Sequence, residues 1–584
     1  MGEQQVRPGT GRHTIAVSSD GLRVGHLHHG VLRLCELPAG RVTTLATGVD
    51  TFAFDRTGAT VVWISGGWLH HRQATGPVPT PGPVDQARPD PTGRRLAYLY
   101  DGAIRVAPIG PVAEGGDELL AGEPDGVRWG EADPHAAYFG RDTGWWWAPD
   151  GESIMATRRQ GDQVSLHLLD LDGGWVDVHW DREIYPYLGA VRWADGGPLI
   201  TVLRRSQGHG LILAVDRRTG ETQVHAELAD PRWVNPVDGT PRHLADGRVL
   251  VGGEISHDGY DARCLFADGT LLTPPTLYVR RVVGRLGPGS TGGELGDLLV
   301  EASEGEPAEQ HLFRVRSSTS GGMVVHRLTS APGWHSAECG GDTVVTGLRS
   351  LDDEDEQITV WHAGRQIVEL TPRRAVPASL ARPTLDRVTD RRLPTAVLYP
   401  PGHVFGRRLP VLLLLPDTPT AQQVRSDHAA FADARAWAEA GFAVVLVDGR
   451  GTVGVSPSFE KVTHRRVVDL AVGDQADALR LLADKHSDLD MTRVTAYGTG
   501  FGGWLAAVLA ARRPDTVRAA IAVDPWDWST LPVPLAERYL GPRELDSETY
   551  ARHDLGELPD TVVTPPNEKE GHLLIALRIG RAPS

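Results

Sequence analysis

From the N-terminus to about residue 365, apolar positions come in short β-branched or leucine-rich stretches cut by polar turns. Almost no segment there keeps a helical period beyond two turns. The turns are marked by Asp20-Gly21, Thr57-Gly58, Thr92-Gly93, Asp150-Gly151, Gly196-Gly197, Asp246-Gly247 and Gly340-Gly341. Their spacing suits a repeating unit of roughly 40 to 50 residues, the length of one four-stranded blade, and predicts a β-propeller of seven or eight blades over residues 1–370. An irregular multi-sheet β domain is the plainer alternative.

Beyond the charged run at 351–356 and the turn-rich stretch at 372–382 the pattern changes, and apolar strands alternate with helical periods. Leu409 to Leu415 is a continuous apolar run suited to a strand covered on both faces. Phe431 to Ala440 reads as a helix, Phe442 to Val447 as a second strand and Val467 to Ala483 as a long helix. Val494 to Tyr497 then predicts a third strand and Gly503 to Arg512 another helix. The expectation is a doubly wound α/β domain over residues 380–584.

Composition narrows the function classes. Of 584 residues, 40% are apolar and 23% charged, and no apolar run is long enough to span a bilayer. A net charge of −16 argues against nucleic acid and acidic membrane surfaces as partners. Cys35, Cys264 and Cys339 are too far apart for a metal knuckle or redox pair. The first residues lack the apolar core of a secretory signal, so a cytoplasmic protein is expected.

The candidate chemistry sits at Gly498-Thr499-Gly500-Phe501-Gly502-Gly503, a glycine-flanked turn between strand and helix. In hydrolases of this architecture the turn reads G-x-S-x-G and lifts a serine oxygen above the sheet. Here the central position is Gly500, which has no side chain with which to attack a carbonyl. The scaffold of a nucleophile elbow is present without its nucleophile.

These residues, with Val447-Asp448-Gly449-Arg450-Gly451-Thr452, Phe459-Glu460-Lys461, Asp474-Gln475-Ala476-Asp477 and Glu537-Arg538-Tyr539-Leu540-Gly541, resemble the prolyl oligopeptidase family of serine peptidases. The dipeptidyl peptidase IV branch is the closest in pattern, and Trp145-Trp146-Trp147-Ala148-Pro149-Asp150-Gly151 and Tyr185-Pro186-Tyr187-Leu188 resemble its propeller segments. The resemblance implies a propeller joined to an α/β-hydrolase domain, and release of N-terminal dipeptides by serine acyl transfer. Position by position, this chain departs from that chemistry. Gly500 stands for the nucleophile and Pro416 for the tyrosine that helps hold the oxyanion. The Glu-Glu pair that anchors the substrate amine falls on Ala137 and Tyr138; Glu131 or Asp133 replace it only if the alignment is shifted by a gap. Of the aromatics walling the proline pocket, Phe501 and Trp528 remain, whereas Leu531 and Leu535 stand where tyrosines are implied.

After Gly500 come 84 residues. Leu573 to Ile579 is the candidate for the strand before the acid loop, and no carboxylate follows it, so the hydrolase domain is expected to be C-terminally incomplete, without triad acid or histidine. His553 and His572 precede that strand and read as surface residues. Thr499, Ser456 and Ser458, the last two with His464 nearby in sequence, are the substitute nucleophiles to weigh. Their plainer reading is a turn around Pro457 and a solvated helix start at His464.

Trp145, Trp146 and Trp147 read as blade core rather than a stacking shelf, because alternation sends the middle ring to the opposite face. His26-Leu27-His28-His29 and His70-His71 offer at most two ligands to a side and read as solvated turn or strand-end residues, so no metal and no cofactor are expected. The sequence therefore predicts a peptidase homologue without catalytic residues. It is expected to bind a peptide or small ligand in the propeller channel or in a remnant pocket at Phe501, Trp528, Leu531 and Leu535, or to work in a homo-oligomer or with a partner chain. A hydrolase with a rearranged site and a decayed or frame-shifted gene product are the alternatives.

Overall fold

A computed structural model of the protein describes residues 13–74, 76–110, 117–287, 296–316 and 324–565. Among these residues, up to Glu369, the regular elements are strands apart from one short 3-10 turn, and nearly all pair antiparallel, mostly with their sequence neighbours. They form eight units, 14–47, 51–71, 85–121, 128–177, 187–229, 242–271, 277–327 and 334–369. A short parallel contact between Arg263 and Tyr278 fuses the sixth and seventh units into one sheet. This is the expected propeller.

The ring closes through side chains. Val17, Val24, Cys35 and Leu37 of the first unit share a buried cluster with Val345, Ile358 and Val360 of the last. The Thr343 hydroxyl donates to the Gly21 carbonyl at 2.6 Å. Gly21 has φ +71, and a Cβ there would meet the Gly340 carbonyl oxygen at 2.5 Å, so the Asp20-Gly21 turn needs glycine for both its conformation and the seam. Within the fourth unit, Trp145 and Trp147 are buried together and the half-buried Trp146 packs against the next unit's cluster, as strand alternation requires.

From Pro383 the architecture changes to a seven-stranded sheet. Its order across the sheet is Pro383–Val388, Leu393–Leu398, Ala443–Val447, Leu409–Leu414, Leu489–Thr499, Ala519–Val523 and Val562–Val563. The first two strands run antiparallel and the last five parallel. Helices Val467–Lys485 and Phe501–Arg512 cover one face, and Ala432–Glu439 the other. A doubly wound α/β-hydrolase sheet is therefore present. The strand beside Ala519–Val523 is Val562–Val563. Leu573 to Ile579, the candidate for the strand before the acid loop, lies outside the described residues, as do His572, the closing residues and residues 1–12. Among the described residues no helix is long and apolar enough to cross a membrane.

The two domains are fastened by the short helix Pro457–Lys461. Ser456 caps it by accepting from the Phe459 amide at 3.2 Å, and Pro457 occupies the first turn, where its missing N–H costs nothing. The helix buries two charges against the propeller. Lys461 Nζ donates to Asp230 at 2.7 Å and to Glu254. Glu460 accepts from Asn235 Nδ2 at 3.0 and 3.2 Å and from the Tyr278 hydroxyl at 3.3 Å. The expected ordinary turn at Ser456 to Ser458 is thus a helix start docked on the other domain.

Candidate functional site

The elbow keeps its backbone. Strand Leu489–Thr499 ends at Gly500, whose φ of 59° and ψ of −116° turn the chain directly into helix Phe501–Arg512, two residues before the predicted start. Such dihedrals are open almost only to glycine or to a residue held under strain. The turn is tight because its neighbours are also glycines: a Cβ at Gly498 would lie 2.5 Å from the Gly502 carbonyl carbon, and one at Gly502 would lie 2.6 Å from the Pro416 carbonyl oxygen.

The space above the elbow is occupied. A Cβ on Gly500 would sit 3.1 Å from Trp526 Nε1 and 3.3 Å from the Asp417 carbonyl oxygen. In elbow hydrolases the amide after the nucleophile supplies an oxyanion donor. Here that amide, Phe501 N–H, donates to the Asp417 carbonyl at 3.2 Å. Pro416, just before it, offers no donor from its side chain or its nitrogen. The arrangement therefore lacks a nucleophilic oxygen at its centre, and one of its backbone donors is engaged.

Beside the elbow lies a cavity of about 440 Å³ between the domains. Its walls include Leu531 and Leu535 and the indole of Trp526 from one domain, and Ala137 and Tyr138 from the other. Residues more than 390 positions apart are brought to one surface. Phe501 and Trp528 do not line it; both are buried beneath, with Phe501 and Trp528 rings 5.7 Å from that of Trp526. They support the wall that Trp526 presents. Sequence reading missed Trp526, although Trp526-Asp527-Trp528 directly after a predicted strand end was the available signal. Thr418, Thr420, Arg538 and Tyr539 add polar groups. The Arg538 guanidinium is held by Gln207 at 2.8 Å, and burial pushes the Tyr539 phenol up to about 12.

Ala137 and Tyr138 sit on the 3-10 turn Ala136–Phe139 and face the cavity, where the gap-free alignment placed them. Glu131 and Asp133 are elsewhere. Glu131 accepts from Arg128 at 2.7 Å, and Asp133 is buried in an ion pair with Arg141.

The substitute nucleophiles are committed to other partners. Ser456 caps its helix, and Ser458 shares a 2.6 Å hydrogen bond with Ser256 of the propeller. His464 does not begin a solvated helix: its Nδ1 donates to the Arg538 carbonyl at 3.1 Å and its ring packs on Trp233. His553 is likewise not a surface residue. It is 1% exposed, stacks on Trp504, donates from Nδ1 to the Thr549 carbonyl at 2.7 Å and accepts the Val468 amide at 3.1 Å. Burial keeps this imidazole neutral by lowering its pKa.

The motif carboxylates serve the scaffold. Asp448 accepts the Gln423 and Val424 amides at 2.9 and 3.0 Å, and burial raises its pKa to about 7. Asp474 grips Arg450 through its amide at 2.8 Å and through its guanidinium. The histidines at 26 and 28 are not solvated: His13 stacks on His28 with centroids 3.8 Å apart and hydrogen-bonds His26 at 2.7 Å. Three rings thus share a face where two were expected. The rings lie nearly parallel, and among the described residues no group of three or more ligand side chains is placed to hold a metal.

Comparison with known proteins agrees with this architecture. Residues 429–558 match the prolyl oligopeptidase family. The chain is 23% identical over 564 residues to a Penicillium rubens protein named "Probable dipeptidyl-aminopeptidase B", covering 82% of this chain and 60% of that protein. It is 28% identical over 158 residues to Homo sapiens dipeptidyl peptidase 8, covering 26% of this chain and 18% of the human one. The chain thus spans at most about 60% of the length of these relatives. The crystal structure of Porphyromonas gingivalis dipeptidyl peptidase 4 superimposes with a TM-score of 0.78 at 16% identity, over 98% of this chain and 93% of that one. Residues 429–558 thus carry the pattern of the prolyl oligopeptidase family, and the whole chain shares the fold of the P. gingivalis dipeptidyl peptidase 4 structure.

Proposed function

We propose that this protein is a non-catalytic member of the prolyl oligopeptidase family, on its dipeptidyl peptidase IV branch, that binds a peptide or small apolar ligand in the cleft between its domains. The observation that carries the reading is Gly500 in full elbow conformation, with the Trp526 indole against the place a side chain would fill. A peptidase of this class needs an oxygen there and a base to activate it. The cleft supports the binding half of the reading. Its volume falls in the range of small-molecule sites, and its walls combine leucines, an indole and a few polar groups.

The test has two arms. The purified protein is expected to resist labelling by a fluorophosphonate and to release no chromophore from Gly-Pro or Ala-Pro p-nitroanilide. Labelling that maps to one side chain would overturn the first half. In the second arm, Ala-Pro amide is expected to raise the melting midpoint of the wild type and not of Leu535→Trp, which fills the cleft. Equal responses of the two proteins would remove the cleft as the binding site.

A further inference from the structure

The inner strands of the propeller hold a cationic cluster that the cleft does not use. Tyr187–Ala194 packs on Arg242–His243, and Leu277–Arg285 packs on Trp334–Gly340, as first strands converging on a propeller axis do. Asp238, just ahead of Arg242, bridges to Arg281. Arg192, Arg242, Arg281 and Arg285 are thereby gathered in one region, and the other three act on Arg242 as like charges.

The nearby carboxylates are taken. Arg281 pairs with Glu338, with Glu301 at 3.5 Å and with Asp238 at 3.8 Å, and Arg192 pairs with Asp238 at 3.4 Å. Arg242 and Arg285 have no ion pair and no side-chain hydrogen bond among the described residues. The Arg242 guanidinium lies over the backbone of Gly284, where a Cβ would come within 3.7 Å of Nη1 and 2.7 Å of Cys339 Sγ. Arg285, at the end of the same strand, is exposed.

The Glu338 carboxylate feels the Arg242 charge but is paired with Arg281, and a half-buried cation with no ion pair of its own opposes folding unless something compensates it. Burial and its arginine neighbours hold the Arg242 guanidinium down to about 10. Burial also raises the Glu301 carboxyl to about 7, which weakens the negative charge nearby at neutral pH. A guanidinium pair presents donor forks that match the paired oxygens of a phosphate or carboxylate.

We propose that Arg242 and Arg285 form an oxyanion-binding site at the inner ends of the sixth and seventh propeller units. It takes the phosphate or carboxylate group of a small ligand. This site is separate from the interdomain cleft and stands whether or not the cleft binds.

Calorimetric titration and thermal melts of the full chain test it, with inorganic phosphate and citrate as probes and chloride at matched ionic strength as control. Saturable binding of phosphate or citrate is expected, with the melting midpoint raised by that anion and not by chloride. Phosphate alone would assign a phosphate ligand and citrate alone a carboxylate. Arg242→Gln and Arg285→Gln are each expected to weaken binding about ten-fold or more, the loss of a charge-assisted pair. In anion-free buffer Arg242→Gln should leave the melting midpoint unchanged or raise it, because the substitution relieves repulsion; a packing arginine would lower it. Absence of saturable binding to the wild type would overturn the proposal, and so would equal binding by wild type and both variants.

Discussion

The elbow and the docking helix 457–461 belong to the same domain, yet each carries what the other lacks. At Gly500 the backbone holds a demanding geometry and no side chain exploits it. At Glu460 and Lys461 the backbone is an ordinary capped helix, and the side chains bury charge with every partner in place. Strand-to-helix crossing explains the elbow: Gly498, Gly502 and Gly503 are required wherever helix Phe501–Arg512 lies this close to the sheet, whatever chemistry sits above. Domain register explains the helix. Architecture and reaction are separable properties of one chain, and this chain keeps the first in both places.

The largest expected effect is at the docking helix. Lys461→Met leaves the Asp230 and Glu254 carboxylates together without their cation, and should cost roughly 3–5 kcal/mol in urea denaturation. A loss under about 1 kcal/mol would show that the domains are held mainly by other contacts. Next is the elbow itself. Gly502→Ala drives a Cβ against the Pro416 and Leu415 carbonyl oxygens, at 2.6 and 3.1 Å, and should cost about 1–3 kcal/mol in the same measurement. Gly500→Ser should be destabilised by about 1–2 kcal/mol and still release nothing from Gly-Pro p-nitroanilide. Turnover by that variant would erase the contrast, because the elbow would then have kept its chemistry.

Asp448 lies between the two cases, buried like Glu460 but held by backbone amides. Its folded pKa of about 7 stands above the usual carboxylate value, so the folded state binds the proton more tightly than the unfolded chain. Its contribution is complete below about pH 4 and is lost as pH rises toward 7, with a slope of at most about 1.4 kcal/mol per pH unit. Melts from pH 4 to 7 should show this decline in the wild type and a flatter profile in Asp448→Asn. The smallest effect is expected for Ser458→Ala. It removes one hydroxyl contact with Ser256 at the rim of the interface and should shift stability by about 0.5 kcal/mol.

Much of the fold was legible because its signals are local. Asp-Gly and Gly-Gly turns, alternating tryptophans and runs such as Leu409 to Leu415 act within a few residues of where they stand. The errors fall where partners are distant. His553 and His464 look like surface histidines until Trp504 and Trp233 are packed against them. Ser456 to Ser458 looks like a loop until the propeller is set opposite it. Phe501 and Trp528 were expected in the pocket wall and instead lie one layer beneath Trp526, because alignment gives position along the chain and not depth.

By itself, the amino-acid order determined that position 500 has no oxygen to offer and that glycine surrounds it, since both are covalent facts. It also determined the change from β-only to alternating grammar near residue 380. Only the tertiary structure decided that Tyr138 and Leu535 share a cavity, that Lys461 is neutralised by Asp230 and Glu254, and that Arg242 is gathered with three other arginines at the inner end of its blade. Those outcomes depend on distances between segments far apart in sequence. Packing of the ring and docking of the sheet against it set such distances, and no local pattern encodes them.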